Sequence, residues 1–281
     1  MPWKQRNQKS LPAIWRVPDD LWSMIERILA ELDPPACTGR KRIDARRALD
    51  ALIFRLRSGC QWNRLPREFP DDSSVHRTFQ RWVRLGVFDR IWAVLLKACE
   101  DLGGCDWEWQ AADTAMGKAR YGGDLVGPNP TDRAKPGVKR SLLVEAEGGP
   151  LGVAVASANV PDAQLLATTI EAIVVERPEP DWPQHLCLDK AYVNKTGWSV
   201  IVDYDYEAHI QLIRDLRPPR RKRYQPRRWV VERTLAWLSR CRAILIRWDK
   251  KAANYLGFLK LACTLIWFRR HYRLALSSAR P

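Results

Sequence analysis

Cysteine pairs, long apolar runs and acidic residues are all scarce in this sequence of 281 residues. The seven cysteines are odd in number and form no CxxC pair, which excludes a disulfide framework and a cysteine zinc site and indicates reduced thiols. The most apolar late run, residues 255–268, is interrupted by Lys260 and is shorter than the ~20 residues of a membrane-spanning helix. The first residues lack the apolar core of a signal peptide. We therefore expect a cytoplasmic protein with no membrane partner.

Basic residues outnumber acidic ones by 47 to 32, so the formal net charge is +15. Such a charge favours a polyanion as partner, and nucleic acid is the commonest polyanion for a soluble chain. An anionic membrane surface is the alternative, but the basic residues are spread over several segments and are not confined to one amphipathic helix. A hydrophobic content of 46% is enough for real cores, and the length suggests about two domains.

Residues 1–105 have the apolar spacing of four short helices joined by turns. The third predicted helix carries Arg77, Arg81 and Arg84 on its polar side. Short helices with an exposed basic face suit a helix-turn-helix-like unit that contacts DNA. The same pattern also fits an ordinary helical bundle with a solvated basic face.

After Gly103 and Gly104 the pattern changes to strands. Residues 107–115 predict a strand that ends at Asp113, and residues 140–159 predict a hairpin. Asp162 has the position of a helix cap, and the apolar residues of a further strand stop at Asp189. The predicted order is strand, hairpin, helix, strand, helix, strand, helix, which is typical of a mixed α/β domain.

The most basic stretch of the chain surrounds one acid, Glu232. From residue 214 to residue 250 there are thirteen Lys and Arg against three acids. Pro226 can begin a helix on which Arg228 and Glu232 lie one turn apart. Taken alone, such a pair is a surface salt bridge that contributes ~0.3–0.5 kcal/mol.

Asp113 and Asp189 have equally ordinary explanations as a strand-exit cap and a turn residue. Three converging carboxylates, however, can hold two divalent ions ~3.5–4 Å apart, the arrangement used for in-line phosphoryl transfer. Hard cations such as Mg²⁺ prefer oxygen ligands. Asp113, Asp189 and Glu232 are therefore the candidate catalytic and metal-binding residues.

Five motifs carry a resemblance to a known family. They are GCQWNRLPREFPDDSSVHRTFQRW in the front segment, DTAMGKA around Asp113, NPTDRAKPGVKRSLLVEAEGGPLG followed by NVPDAQLL, LDKAY around Asp189, and RRWVVERTLAWLSRCRAILIRW around Glu232. With these motifs the chain resembles the DDE transposases of bacterial insertion sequences, in the insertion-sequence-five group. The broader family has a tyrosine and a basic residue where this chain has Gln225 and Ser239.

The resemblance implies an RNase H-like catalytic domain with Asp113, Asp189 and Glu232 as its metal-binding triad. We expect a helical DNA-binding domain over residues 1–105, the catalytic domain over residues 106–275, and a disordered tail over residues 276–281. Two Mg²⁺ ions are expected, with Mn²⁺ as a substitute.

The implied activity is cleavage of double-stranded DNA at the terminal inverted repeats of a mobile element, followed by strand transfer into target DNA by a homodimer. The alternatives are a nuclease of the same fold without strand transfer, and an inactivated DNA-binding relic. The residues expected to contact DNA are Arg77, Arg81, Arg84, Lys190, Arg220, Arg221, Lys222, Arg223 and Arg228.

Overall fold

The computed structural model describes residues 13–35, 37–39, 41–179, 184–210 and 227–278. The helices are α1 (Asp19–Leu32), α2 (Ala45–Ser58), α3 (Asp72–Arg84), α4 (Val87–Asp101), α5 (Asp162–Glu171), α6 (Lys195–Asp203), α7 (Trp229–Ser239), α8 (Arg242–Leu245) and α9 (Ala252–Ser278). The strands are β1 (Trp109–Ala119), β2 (Gly127–Pro128), β3 (Pro136–Glu145), β4 (Pro150–Ser157), β5 (Gln184–Leu188), β6 (Tyr206–Ile210) and β7 (Ile246–Arg247). No helix among these residues is long and apolar enough to cross a membrane.

The strands form one mixed sheet in the order β4, β3, β1, β5, β6. β4, β3 and β1 are antiparallel neighbours, whereas β5 runs parallel to β1 and β6 runs parallel to β5. Two short strands complete the sheet: β2 pairs with β3, and β7 pairs with the far end of β1. This is the mixed α/β class behind a helical front end that the sequence predicts.

Strand β1 is longer than the sequence predicts. The predicted strand ends at Asp113, but β1 continues to Ala119, so this acid lies in the middle of a strand. The reason is that β3 pairs with β1 from Gln110 to Lys118 and keeps it extended. The parallel pairing with β5 stops at Ala111. Asp113 therefore lies just beyond the point where one neighbouring strand has ended.

The front helices and the last helix share a continuous apolar core. α4 packs along α9, and α9 also packs on β4. The indole N–H groups of Trp92 on α4 and Trp267 on α9 both donate to the carbonyl oxygen of Pro150, at 3.1 and 2.6 Å. The division of the chain at residue 105 stays a prediction. α9 extends to Ser278 and so includes the first three residues of the segment predicted as a tail.

A buried ion pair joins α2 to the segment that leads into α9. Arg55 and Asp249 are 4% and 5% exposed, and their closest charged atoms are 3.4 Å apart. The Arg55 guanidinium also lies over two rings, 4.0 Å from the centroid of Trp62 and 4.7 Å from that of Phe258. Burial lowers the pKa of Arg55, and the charge of Asp249 opposes that shift. The buried arginine therefore depends on its one carboxylate partner.

Replacing Asp249 with Ala should lower the free energy of unfolding by about 3–5 kcal/mol, because Arg55 would stay buried without a counter-charge. Urea unfolding followed by circular dichroism measures this loss. Asp89→Ala is the matched control, since its partner Lys260 also joins a front helix to α9, but at a partly exposed position. The control should change stability by no more than about 1 kcal/mol. Equal losses in the two variants would show that burial of the Arg55 pair is not what matters.

Candidate active site

Asp113 and Asp189 lie at the same level on two adjacent strands. The parallel register pairs Trp109 with His185 and Ala111 with Cys187. Continued by two residues, that register places Asp113 opposite Asp189, which directly follows the last residue of β5. Paired residues of parallel strands point to the same face of the sheet. Both carboxylates therefore project from one face at the end of β5.

Short-range hydrogen bonds orient both aspartates. The Asp113 Oδ1 accepts a hydrogen bond from the backbone N–H of Thr114 at 2.8 Å. Asp189 accepts one from the backbone N–H of Ala191, also at 2.8 Å, and so caps the short 3₁₀ turn that follows β5. Each carboxylate therefore keeps an oxygen atom free of these local bonds.

Helix α7 brings the third acid to this face. Its buried side, which includes Val231 and Leu235, packs on β1 and β3. The Thr234 hydroxyl donates to the carbonyl oxygen of Gly148 in the turn between β3 and β4, at 2.7 Å. Gly148 has φ +86, and a Cβ there would lie 2.8 Å from the Thr234 hydroxyl, so this close approach requires glycine. The docked helix carries Glu232 in its first turn.

Arg228 joins two of the acids directly. Its Nη1 lies 2.7 Å from the Oδ2 of Asp113, and its Nη2 lies 2.5 Å from the Oε1 of Glu232. The Asp113 side chain is 15% exposed and the Arg228 side chain 23%, whereas Glu232 is half exposed. One guanidinium therefore bridges a strand acid and a helix acid at the edge of a solvent-accessible site.

Burial dominates the electrostatics of Asp113. Desolvation raises its pKa from 3.8 to about 6, against the lowering effects of the Thr114 N–H and the Arg228 charge. The charges of Asp189 and Glu232 raise it further. Asp189 and Glu232 are therefore both close enough to Asp113 to disfavour its charged form, and the charge of Arg228 does not outweigh burial and these two acids.

Three further residues adjoin this site that the sequence analysis does not assign to it. Asp162 was predicted as a helix cap, but the residue at the cap position is Pro161, which makes no side-chain cap. The Asp162 side chain instead accepts hydrogen bonds from the Thr114 hydroxyl at 2.9 Å and from the Lys139 Nζ at 2.5 Å. The NVPDAQLL motif was a signal for Asp162, and the NPTDRAKPGVKRSLLVEAEGGPLG motif contains Lys139.

The third is Tyr192. Its hydroxyl is buried and has no hydrogen-bond partner in the described part of the chain. Burial raises its pKa, and the charges of Asp113, Asp162 and Asp189 raise it further, so the hydroxyl stays a neutral donor beside the acids. Tyr192 belongs to the LDKAY motif, in which the sequence analysis assigns roles to Asp189 and Lys190 but not to the tyrosine.

The predicted DNA contacts differ in their surroundings. Arg77 and Arg84 are exposed on α3, and Lys190 is exposed next to Asp189. Arg81 makes a two-pronged salt bridge to Asp33 at the end of α1, with the closest contact 2.8 Å. Arg220, Arg221, Lys222 and Arg223 lie outside the described residues. Whether these side chains contact DNA stays a prediction.

The donor set suits a hard divalent cation. Asp113, Asp189 and Glu232 offer carboxylate oxygens, which Mg²⁺ and Mn²⁺ prefer over nitrogen and sulfur. Burial is the main cause of the raised pKa of Asp113, and the nearby negative charges of Asp189 and Glu232 add to the shift. These observations fit a metal site, with Arg228 supplying positive charge between two of its acids.

Comparison with solved structures returns only a loose likeness. The catalytic domain of the Mos1 mariner transposase is 13% identical, with 70% of this chain and 94% of that chain covered, at a TM-score of 0.28. A Mos1 paired-end complex with the left transposon end gives a TM-score of 0.27 at 12% identity, covering 89% of this chain and 85% of that one. These scores carry no argument about the site.

Sequence comparisons are more specific. The chain is 39% identical over 156 residues to a Burkholderia cepacia protein described as "Putative transposase for insertion sequence element IS402", covering 52% of this chain and 70% of the relative. It is 30% identical over 118 residues to a 16.2 kDa protein of the same insertion element, covering 41% of this chain and 80% of that relative.

Two family models cover most of the chain. Residues 17–92 match the model described as "Putative transposase of IS4/5 family". Residues 96–267 match the model described as "Transposase DDE domain", and that range contains Asp113, Asp189 and Glu232. The front helices and the sheet thus match two transposase models in succession, and the chain belongs to the DDE transposase family.

Proposed function

We propose that this transposase cleaves DNA at the ends of its own mobile element and joins the freed 3′ ends to target DNA. As a member of the DDE family it acts on DNA in transposition and depends on a divalent metal. The observation that supports the finer proposal is that Asp189, by strand register, and Glu232, on α7, both lie close to Asp113. Arg228 bridges Asp113 and Glu232 there.

Asp113, Asp189 and Glu232 would hold the metal, with Mg²⁺ as the physiological ion, Mn²⁺ as a substitute and two ions per site. One guanidinium against three carboxylates leaves two negative charges uncompensated among these four side chains, which favours divalent cations. When bound, divalent ions polarise the scissile phosphate, lower the pKa of the attacking water and neutralise the charge on the leaving oxygen.

The chain's own groups prepare the site for DNA. Arg228 holds Asp113 and Glu232 together in the free protein, and its planar fork suits a backbone phosphate equally well. We assign it a change of partner from carboxylates to DNA phosphate when the substrate binds. Asp162, fixed by Lys139, keeps Thr114 and hence the backbone beside Asp113 in place.

The front helices are the proposed reader of the terminal inverted repeats. Arg77 and Arg84 face solvent on α3, and Lys190 lies exposed beside Asp189, so each is accessible to a backbone phosphate. Cutting two element ends in a coordinated way calls for a homodimer in the DNA complex. Double-stranded DNA is the substrate for both cleavage and target capture.

Asp189→Asn should abolish cleavage and joining while leaving binding to the element end largely intact, because the change removes a metal ligand and no DNA-contacting cation. The assay uses a labelled duplex carrying the element end, Mg²⁺ or Mn²⁺, and a supercoiled target plasmid. Asp203→Asn, at the exposed end of α6, is the matched control and should keep full activity.

The outcomes of that assay separate the alternatives. Metal-dependent nicking with joining in the wild type supports the transposition chemistry proposed here. Nicking without joining would favour a nuclease, and end binding without any cleavage would favour an inactive relic. Loss of end binding by Asp189→Asn to the same degree as cleavage would contradict the role given to this residue.

The raised pKa of Asp113 predicts a pH-dependent stability in metal-free protein. Between about pH 4 and pH 6 the folded chain retains a proton that the unfolded chain has released, so wild-type stability falls as the pH rises through this window. Asp113→Asn is neutral throughout and should stabilise the protein above pH 6, by up to about 3 kcal/mol. Below pH 4 the gain should vanish.

Urea unfolding in the presence of a chelator, repeated across this pH range, measures the difference. Asp20→Asn, at an exposed position on α1, should show no such dependence. A destabilised Asp113→Asn protein at pH 7 would mean that the Arg228 contact outweighs the desolvation of the aspartate.

A further inference from the structure

Two of the four histidines meet a glutamate on the outer strands of the sheet, away from the acidic site. The His185 Nδ1 lies 3.0 Å from the His209 Nε2 and 3.4 Å from a Glu207 carboxylate oxygen. The other Glu207 oxygen lies 3.7 Å from the His209 Nε2. Of the described residues, only these three bring one ligand-type atom each to within 4.8 Å of one another.

The strand pairing builds this cluster. His185 pairs with Glu207, and Cys187 pairs with His209, so the three side chains project from the same face of β5 and β6. His209 lies two residues before the level of Asp189. The cluster is therefore separate from the Asp113, Asp189 and Glu232 site, although the two share a sheet face.

The spacing suits a small tetrahedral ion. Metal–ligand bonds of about 2.0–2.2 Å at tetrahedral angles place neighbouring donor atoms about 3.3 Å apart. The two facing nitrogens are 3.0 Å apart, and the separations of 3.4 and 3.7 Å involve different Glu207 oxygens. With one donor atom from each residue all three lie within 4.8 Å, so a small rotation of the exposed Glu207 side chain would bring a single oxygen to the tetrahedral spacing. Imidazole nitrogen with one carboxylate is a donor set for zinc-class transition metals, whereas Mg²⁺ prefers oxygen alone.

The neighbouring residues favour a metal site in which the ligands are restrained and one coordination position is open to solvent. The Trp109 ring centroid lies 4.0 Å from that of His185 and 4.7 Å from that of His209, which restricts both imidazoles. The side chains of His185, His209 and Glu207 are 21%, 37% and 58% exposed, so an ion has a path from solvent. Water can then complete the fourth position, as at zinc sites with three protein ligands.

The contacts among these three residues can also be explained without a metal, by hydrogen bonding alone. One imidazole N–H can donate to the facing nitrogen of the other ring, while Glu207 stays near them as a hydrogen-bond acceptor. Metal binding would replace that hydrogen bond, because both facing nitrogens must then offer lone pairs. The two accounts differ in whether added metal binds at these residues.

We propose that His185, Glu207 and His209 form a second metal site, which binds one zinc-class divalent ion independently of the catalytic acids. Among the described strands β6 lies at one end of the sheet, and the ion would tie it to β5, the strand that leads into Asp189. The site would thus be structural and would hold the position of a catalytic strand.

The test is titration of the chelator-treated, full-length protein with Co²⁺ and then Zn²⁺. Four-coordinate Co²⁺ should appear in the visible absorption spectrum at one equivalent per chain, and Zn²⁺ should displace it. Zn²⁺ should also raise the melting temperature. His209→Gln and Glu207→Gln should each weaken binding at least tenfold and remove the thermal shift.

Two controls locate the ion. Asp189→Asn should keep both signals, and so should His271→Gln on α9. Glu207 is mostly exposed, so Glu207→Gln preserves a folded test protein even if a histidine variant unfolds. Undiminished Zn²⁺ binding in Glu207→Gln and His209→Gln, or binding that is lost with Asp189→Asn or on alkylation of the cysteines, would overturn the proposal.

Discussion

The contact of Arg228 with Asp113 and Glu232 is the interaction on which the active site depends. Asp113 is largely buried, and its pKa is raised to about 6, so the carboxylate is a costly group to keep charged. A single guanidinium placed between it and Glu232 offsets part of that cost without neutralising the site. The negative charge that remains favours a divalent cation, and a bound cation could in turn hold a DNA phosphate.

The surrounding strands and helices hold these charged residues in position. β1 is held on one side by β3 and at its far end by β7, so its middle stays rigid where β5 has ended. The glycine turn between β3 and β4 lets α7 approach the sheet closely, and Arg228, at the start of this helix, contacts both Asp113 and Glu232. The front helices share an apolar core with α9, and α9 packs on β4. Packed side chains therefore connect the proposed DNA-binding surface to the sheet.

That Asp113 lies on a strand and Asp189 at a strand end could be predicted from the sequence, and the catalytic role of both acids, which the resemblance implies, stays a prediction. Residues 113 and 189 are separated by the same number of positions as the paired residues of β1 and β5. Patterns along one strand cannot reveal how far its neighbours extend, which is why β1 was predicted too short. Pairing with β3, fixed by residues far along the chain, decides that length.

Groups assembled across elements were harder to predict. Asp162 turns towards Lys139 and Thr114, a choice set by strand contacts and not by the helix that it begins. The histidine and glutamate cluster arises from two strands whose relative register no local pattern specifies. In each case the sequence contains the residues but not the neighbours that give them a role.

The most direct test of this account is the affinity of metal for the free protein with and without Arg228. If Arg228 occupies the place of a cation between Asp113 and Glu232, Arg228→Ala should bind Mg²⁺ at least about fivefold more tightly by calorimetry, the effect of about 1 kcal/mol of coupling. Arg228→Lys, which keeps the charge but not the fork, should lie between the two. Weaker Mg²⁺ binding by Arg228→Ala would contradict the account and would make Arg228 an organiser of the acids in the metal-bound state.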